Sequence, residues 1–172
     1  MARTWLPLNR RVPLVAVMLA TALRLSAQDP ISAGIGAVIP IGSSADRMNP
    51  GYAAQLSYAL QPSWMSSQLR IEGGISSMTE KGTALKREIV SATGSVVING
   101  TTRVGPIGYV VIGGGAYQST SRGVHASSAG ITVGTGMRFN AGPFGTFLEA
   151  RLHYIADDAK TKYFPMVFGL AF

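Results

Sequence analysis

From Ile31 to the carboxy terminus, apolar and polar side chains alternate with a period of two, in segments of about ten residues broken by turn-forming clusters. Successive side chains of a strand point to opposite faces, so each segment predicts a strand with one greasy and one polar side. Residues 31–41 set Ile31, Ala33, Ile35, Ala37, Ile39 and Ile41 against Ser32, Gly34, Gly36, Val38 and Pro40. Residues 52–60 set Tyr52, Ala54, Leu56, Tyr58 and Leu60 against Ala53, Gln55, Ser57 and Ala59. The third segment sets Leu69, Ile71 and Ile75 against Gln68, Arg70, Glu72 and Gly74. Further strands are predicted over 88–98, 107–117, 130–139, 146–155 and from Lys162 to the end, making eight.

The punctuation has its own order. Gln61-Pro62-Ser63, Asn99-Gly100 and Asn140-Ala141-Gly142-Pro143 mark turns. Tight links at 61–64, 99–106 and 140–144 alternate with longer polar ones at 42–51, 77–87, 118–129 and 156–161. Short turns on one side, long loops on the other and an even strand count describe an all-β, antiparallel up-and-down barrel. The Asn99-Gly100-Thr101 triplet, which would also fit a glycosylation acceptor, reads as turn chemistry.

Alternation does not say which face is outside, because a soluble barrel has the same period with its apolar side inward. Three features select a lipid-facing exterior. The polar face is mostly Gly, Ser, Ala and Thr, which suits a narrow lumen better than bulk water. Aromatics fall near strand ends, with Tyr52, Tyr117, Tyr154 and Phe164 toward the long loops and Tyr58, Tyr109, Phe139 and Phe172 toward the short turns. Eight steps from Tyr109 to Tyr117, or from Phe164 to Phe172, span about 26 Å, or about 20 Å once tilted, comparable to the apolar band of a membrane barrel. The last segment places Phe164, Met166, Phe168, Leu170 and Phe172 on one face, a row that would aggregate as a soluble edge strand. Leu56, Ile71, Val111 and Leu170 are accordingly expected to meet hydrocarbon.

Composition agrees. Apolar residues make up 47% of the chain and charged ones only 13%, against about 25% in soluble domains. Beyond residue 30 no apolar run approaches the roughly 18 residues of a spanning helix. At the amino terminus, a basic stretch through Arg11, a mostly apolar run 12–23 and small residues at Ser26-Ala27 read as a secretory signal, residues 1–27, cleaved before Gln28, with the barrel domain over 28–172. The net charge of +7 owes much to Arg3, Arg10, Arg11 and Arg24 in that leader; without those four, 11 basic residues of the 15 face 8 acidic ones. No basic run interleaves with aromatics, so nucleic acid is not an expected partner. The chain has no cysteine, hence no disulfide and no thiolate metal site.

The chain beyond residue 31 resembles small bacterial outer-membrane β-barrels of the OmpA/OmpX type and the group of outer-membrane β-barrel-domain proteins. The likeness rests on the run from Gly34 to Gly42, on Gly136-Met137-Arg138-Phe139, on the run from Phe147 to Tyr154 and on the closing run from Phe164 to Phe172. The last run resembles the carboxy-terminal insertion signature of that class. The resemblance implies location in the outer membrane, contact with its lipid and insertion by its assembly machinery; it supplies no catalytic residue and no cofactor. The expected state is a monomer with an unidentified extracellular ligand at loops 42–51, 77–87 and 118–129.

Candidate chemistry lies on the inward parity. Arg70 and Glu72 on the third segment, Arg138 on the sixth, and Glu149, Arg151 and His153 on the seventh are expected to meet as one ion-pair network filling the lumen, since a charge there needs a partner. A narrow channel with His153 as titrating member is the sharper alternative. His125-Ala126-Ser127 resembles the His-x-Ser motif of lipid A deacylases, a histidine base beside a serine nucleophile. That family's orienting carboxylate follows on the same strand, where this chain has no acid between Gly130 and Phe147. Gly113-Gly114-Gly115 lacks the Lys-Ser/Thr of a phosphate loop and reads as strand. No histidine and acid cluster has metal-ligand spacing, and no enzyme activity, cofactor or metal is expected.

Overall fold

A computed structural model describes residues 30–100, 105–141 and 144–172. The leader 1–27, Thr101 and the Gly142-Pro143 part of the predicted turn lie outside these. Eight strands occupy β1 Ile31–Pro40, β2 Met48–Leu60, β3 Gln68–Glu80, β4 Lys86–Asn99, β5 Ile107–Ser121, β6 Val124–Ala141, β7 Phe144–Ile155 and β8 Lys162–Ala171. Each pairs antiparallel with the next, and β8 closes on β1. No strand edge is therefore left open along the body of the barrel, which removes the backbone groups that hydrocarbon could not satisfy.

The register fixes the shape. Following paired residues from Ile31 through Tyr58, Ile71, Gly94, Gly114, Ile131, Tyr154 and Lys162 leads back to β1 at Ile41, whose amide donates to the Lys162 carbonyl. One circuit of eight strands thus climbs ten residues. With about 3.3 Å per residue and about 4.8 Å between strands, that stagger tilts the strands about 40° and gives a backbone radius of about 8 Å. A tube so narrow is filled by its own side chains.

Its exterior is apolar and its interior polar. Ile35, Leu56, Ile71, Ile112, Ile131 and Phe168, from six strands, are more than half exposed, whereas Arg70, Glu72, Glu149 and Arg151 are each at most 5% exposed. In water this arrangement would leave hydrocarbon wet and charges dry; in a bilayer both are satisfied. The terminal row follows suit, with Met166, Phe168, Leu170 and Phe172 exposed outward and Phe172 edge-on to Phe144 at 5.6 Å. The aromatic belts persist at Tyr52, Tyr154 and Phe164 on one side and Tyr58, Phe139, Phe144 and Phe172 on the other.

Two expectations fail. Tyr109, Tyr117 and Val111 point into the lumen and are at most 6% exposed, so the two tyrosines do not belong to the belts and Val111 does not meet lipid. Both faces of β5 are apolar, Val110, Ile112 and Ala116 against Tyr109, Val111 and Tyr117, so alternation carries no sign there; the register with β4 and β6 decides it. The expected long outer loops are also mostly strand. β5 and β6 run on to Ser121 and Val124 and leave only Arg122-Gly123 between them, a two-residue turn with both φ angles positive. Links 81–85 and 61–67 likewise break the predicted alternation of long and short. Tyr117 to Ser121 and Val124 to Ser128 pair above the outer belt, so length on that side takes the form of protruding sheet.

Candidate functional site

The inward residues of β7, read in chain order from its short-turn end, are Phe147, Glu149, Arg151, His153 and Ile155, every one buried. Across the lumen β3 presents Gln68, Arg70, Glu72, Ser76 and Met78. In a ring of eight, β3 and β7 are four strands apart either way, so they are opposite walls.

Opposite charges bridge them. Arg151 grips Glu72 with both terminal nitrogens, Nη1 to Oε1 at 3.0 Å and Nη2 to Oε2 at 2.7 Å, and donates from Nε to Glu149 Oε1 at 2.5 Å. Arg70 donates from Nη2 to Glu149 Oε2 at 2.6 Å. Tyr109 donates its hydroxyl to the same oxygen at 2.9 Å, and Gln55 reaches Glu149 Oε1 at 3.4 Å. Two arginines and two glutamates cancel, and the fork-to-carboxylate geometry compensates the loss of hydration that a lone buried charge could not survive.

Small residues on neighbouring strands make room for this layer. The Tyr109 ring lies over Gly136, where a Cβ would come within 2.3 Å of Tyr109 Cζ, and Tyr117 lies over Gly130. Above the tetrad, Tyr117 Oη and His153 Nδ1 are 2.9 Å apart, and the His153 ring stacks on Tyr163 at 4.7 Å with 9° between planes. Met48, Met78, Ile89 and Ile155 fill the next layer outward, each at most 2% exposed. At the rim, Arg87 pairs with Asp157 at 3.1 Å, Asp157 accepts from Thr161 N and Oγ1 at 2.7 Å each, and Arg122 meets Glu80 at 3.2 Å. The lumen of the described barrel is thus filled by a stack of complementary layers of buried side chains.

Of the six residues expected in the network, Arg70, Glu72, Glu149 and Arg151 are joined directly. His153 is buried one layer outward, held by tyrosines. Arg138 points inward near the short-turn mouth of the barrel, but among the described residues no ion pair includes it and its Nε has no hydrogen-bond partner. Tyr109, Gln55, Tyr117 and Tyr163 complete the layers and were not expected; a buried tyrosine hydroxyl needs a partner, and that was the available signal for the first.

His125 and Ser127 share the outward face of the β5–β6 hairpin above the outer belt. His125 Nδ1 lies 2.9 Å from Thr120 Oγ1, and no carboxylate among the described residues meets the ring. No group of three His, Cys, Asp or Glu among them could hold a metal ion.

A closed, eight-stranded, antiparallel barrel with a lipid-facing belt and a charge-plugged lumen is a barrel of the outer-membrane type. Solved structures share that fold. Neisserial surface protein A aligns over 82% of this chain and 95% of its own, with a TM-score of 0.64 and 12% identity. The outer membrane enzyme PagL covers 82% and 97%, with a TM-score of 0.50 and 15% identity, and the Yersinia pestis outer membrane protein Ail in a phospholipid nanodisc covers 82% and 97%, with 0.50 and 14%. At these identities the likeness establishes the fold. No family model and no curated protein matches the sequence.

Proposed function

We propose that this chain is an integral protein of the bacterial outer membrane, a rigid barrel that holds its protruding β3–β6 hairpins at the cell surface for structural or binding purposes. The observation that carries this reading is the inversion of polarity: hydrocarbon side chains ring the outside, while a neutralised Arg–Glu tetrad occupies the middle of the lumen. The row Phe164, Met166, Phe168, Leu170 and Phe172 supports insertion through the outer-membrane assembly machinery, and surrounding lipid is the partner of the belt. A predominantly apolar surface around the wall is compatible with a monomer in lipid.

Fractionation tests it. The protein is expected in outer membranes and to migrate differently on gels before and after boiling, as a folded barrel does. Recovery as a freely dissolved polypeptide with unchanged mobility would sink the reading. Planar-bilayer recordings are expected to remain silent, because ions would have to displace the tetrad and the methionine layer; steady conductance would instead favour the narrow-channel alternative. Lipid A from cells with and without the gene is expected to carry the same acyl chains, whereas a loss of one chain would point to hydrolysis at His125 and Ser127.

A further inference from the structure

The lipid-facing wall is not evenly packed. Leu56, Ile71, Ile75, Val90, Val96 and Ile112 stand out from β2 to β5, but between them Gly73 and Gly94 carry no side chain, and a Cβ at either would meet nothing within 4 Å. Two hollows result. One, of about 440 Å³, lies over Gly73 between Leu56, Ile75 and Val90; the other, of about 410 Å³, lies over Gly94 between Leu69, Ile71, Val96 and Ile112. Ala92 pairs with Gly73 and shares its strand face with Gly94, so a low floor joins the two hollows into one oblique trough. The outward side chains that border it are all hydrocarbon.

The level of the trough follows from the register. Leu56 sits four residues, about 10 Å along the barrel axis, below Tyr52 of the outer belt, and pairs with Gly73. Ile71, beside the lower hollow, pairs with Tyr58 of the opposite belt. The trough therefore descends from just under the outer belt toward the middle of the apolar band, where the surrounding material is membrane hydrocarbon. Its rim of Ile71, Ile75, Val90, Val96 and Ile112 is β-branched and stiff at χ1, so the walls are set in advance and lose little entropy when something packs between them. A hydrocarbon chain lying on Gly73, Ala92 and Gly94 touches the floor and both walls, and so gains dispersion contacts that a chain against a flat wall makes on one side only. A second copy fits worse, because a two-fold axis along the membrane normal sets trough against trough and hollow then meets hollow.

We propose that this trough is a binding site for one acyl chain of a membrane lipid, which enters from the outer leaflet below Tyr52 and lies over Gly73, Ala92 and Gly94. This rests on the reading of the wall as lipid-facing, and sets one held chain apart from the lipid that merely surrounds the barrel. The outward side chains there offer no charge and no hydrogen bond, so recognition is of the chain and its shape rather than of a headgroup.

The test uses the protein in phosphatidylcholine nanodiscs in which a minor share of the lipid carries a nitroxide midway along one acyl chain, with amide relaxation read by NMR. Relaxation at Gly73, Ala92 and Gly94 is expected to be enhanced about threefold more than at Ala37 and Ala150, outward positions at comparable depth on β1 and β7. Gly73→Leu combined with Gly94→Leu fills the trough and is expected to bring the enhancement down to that of Ala37, while Gly108→Leu, also outward and in open space, leaves it unchanged. Should the double variant lose heat-modifiable migration, Ala92→Leu alone raises the floor and is expected to remove most of the excess. With the nitroxide moved to the carbonyl end of the chain the excess is expected at Ile75 and Val90, and with it at the methyl end at Val96 and Ile112. Equal enhancement around the wall, an excess that survives filling of the trough, or a reversed order of the two labels would overturn the proposal; so would trough resonances that shift with the number of barrels per nanodisc, which would mean a second copy. Cell fractionation separates the two readings: absence of the protein from outer membranes sinks the lipid-facing reading itself, whereas a heat-modifiable barrel with evenly relaxed amides sinks this inference alone.

Discussion

Glu149 is at most 2% exposed and accepts from Arg70, Arg151, Tyr109 and Gln55, so a change there is felt by four partners at once. Glu149→Gln leaves two buried guanidinium groups short of a counter-charge and is expected to cost about 3–5 kcal/mol, read by urea unfolding from lipid vesicles. Replacing Glu72 and Arg151 together by methionine is expected to cost less than the two single changes summed, because no unpaired charge of that pair remains. Space is equally local. Gly136→Ala would press a methyl group against a Tyr109 ring pinned by Glu149, costing about 1–3 kcal/mol, whereas Gly108→Ala, whose Cβ meets nothing within 4 Å, should change stability little. The charged residues were legible as inward from parity alone on β3 and β7, where one face is plainly polar. Their pairing was not legible, because Glu72 and Arg151 are brought together only by the register of the intervening strands.

At the level of the strand, β5 is the instructive case. Its apolar residues fall on both faces, and the aromatic positions that look like a membrane belt are lumenal packing over glycines of β6. Height along the barrel also separates residues on one face. Ile112 and Gln118 are both exposed on the outward side of β5, but Ile112 lies within the belt and Gln118 on the protruding hairpin. Ile112→Arg is therefore expected to destabilise the barrel by about 2–4 kcal/mol and Gln118→Arg by at most about 1 kcal/mol, measured by the same unfolding titration. Equal losses at both positions would contradict the assigned membrane level. The ends of β1 and β8 were legible to within a residue and those of β7 to within two, because turn residues bound them. The outer ends of β3, β5 and β6 were not, since polar sequence above the belt reads as loop while backbone pairing carries the hairpins onward.

For the molecule as a whole, closure is the step on which everything else depends. The β1–β8 seam brings Gly36 against the Met166 backbone, where a Cβ would lie 1.8 Å from the carbonyl oxygen. Gly36→Ala should therefore reduce the heat-modifiable fraction recovered from outer membranes, as should deletion of Phe172, which removes the Phe144 contact and the bond between the Phe172 amide and the Ile31 carbonyl. Full recovery of either variant would argue against that seam. Period-two alternation, turn residues and the closing aromatic row were enough to specify eight strands, their order and a lipid-facing wall, because those properties depend on each segment's own two faces. Which side β5 shows to lipid, how Arg70, Glu72, Glu149 and Arg151 pair, and where β6 outruns β7 depend on a ten-residue stagger summed over all eight pairings. No segment carries that sum, so it exists only once the sheet has closed.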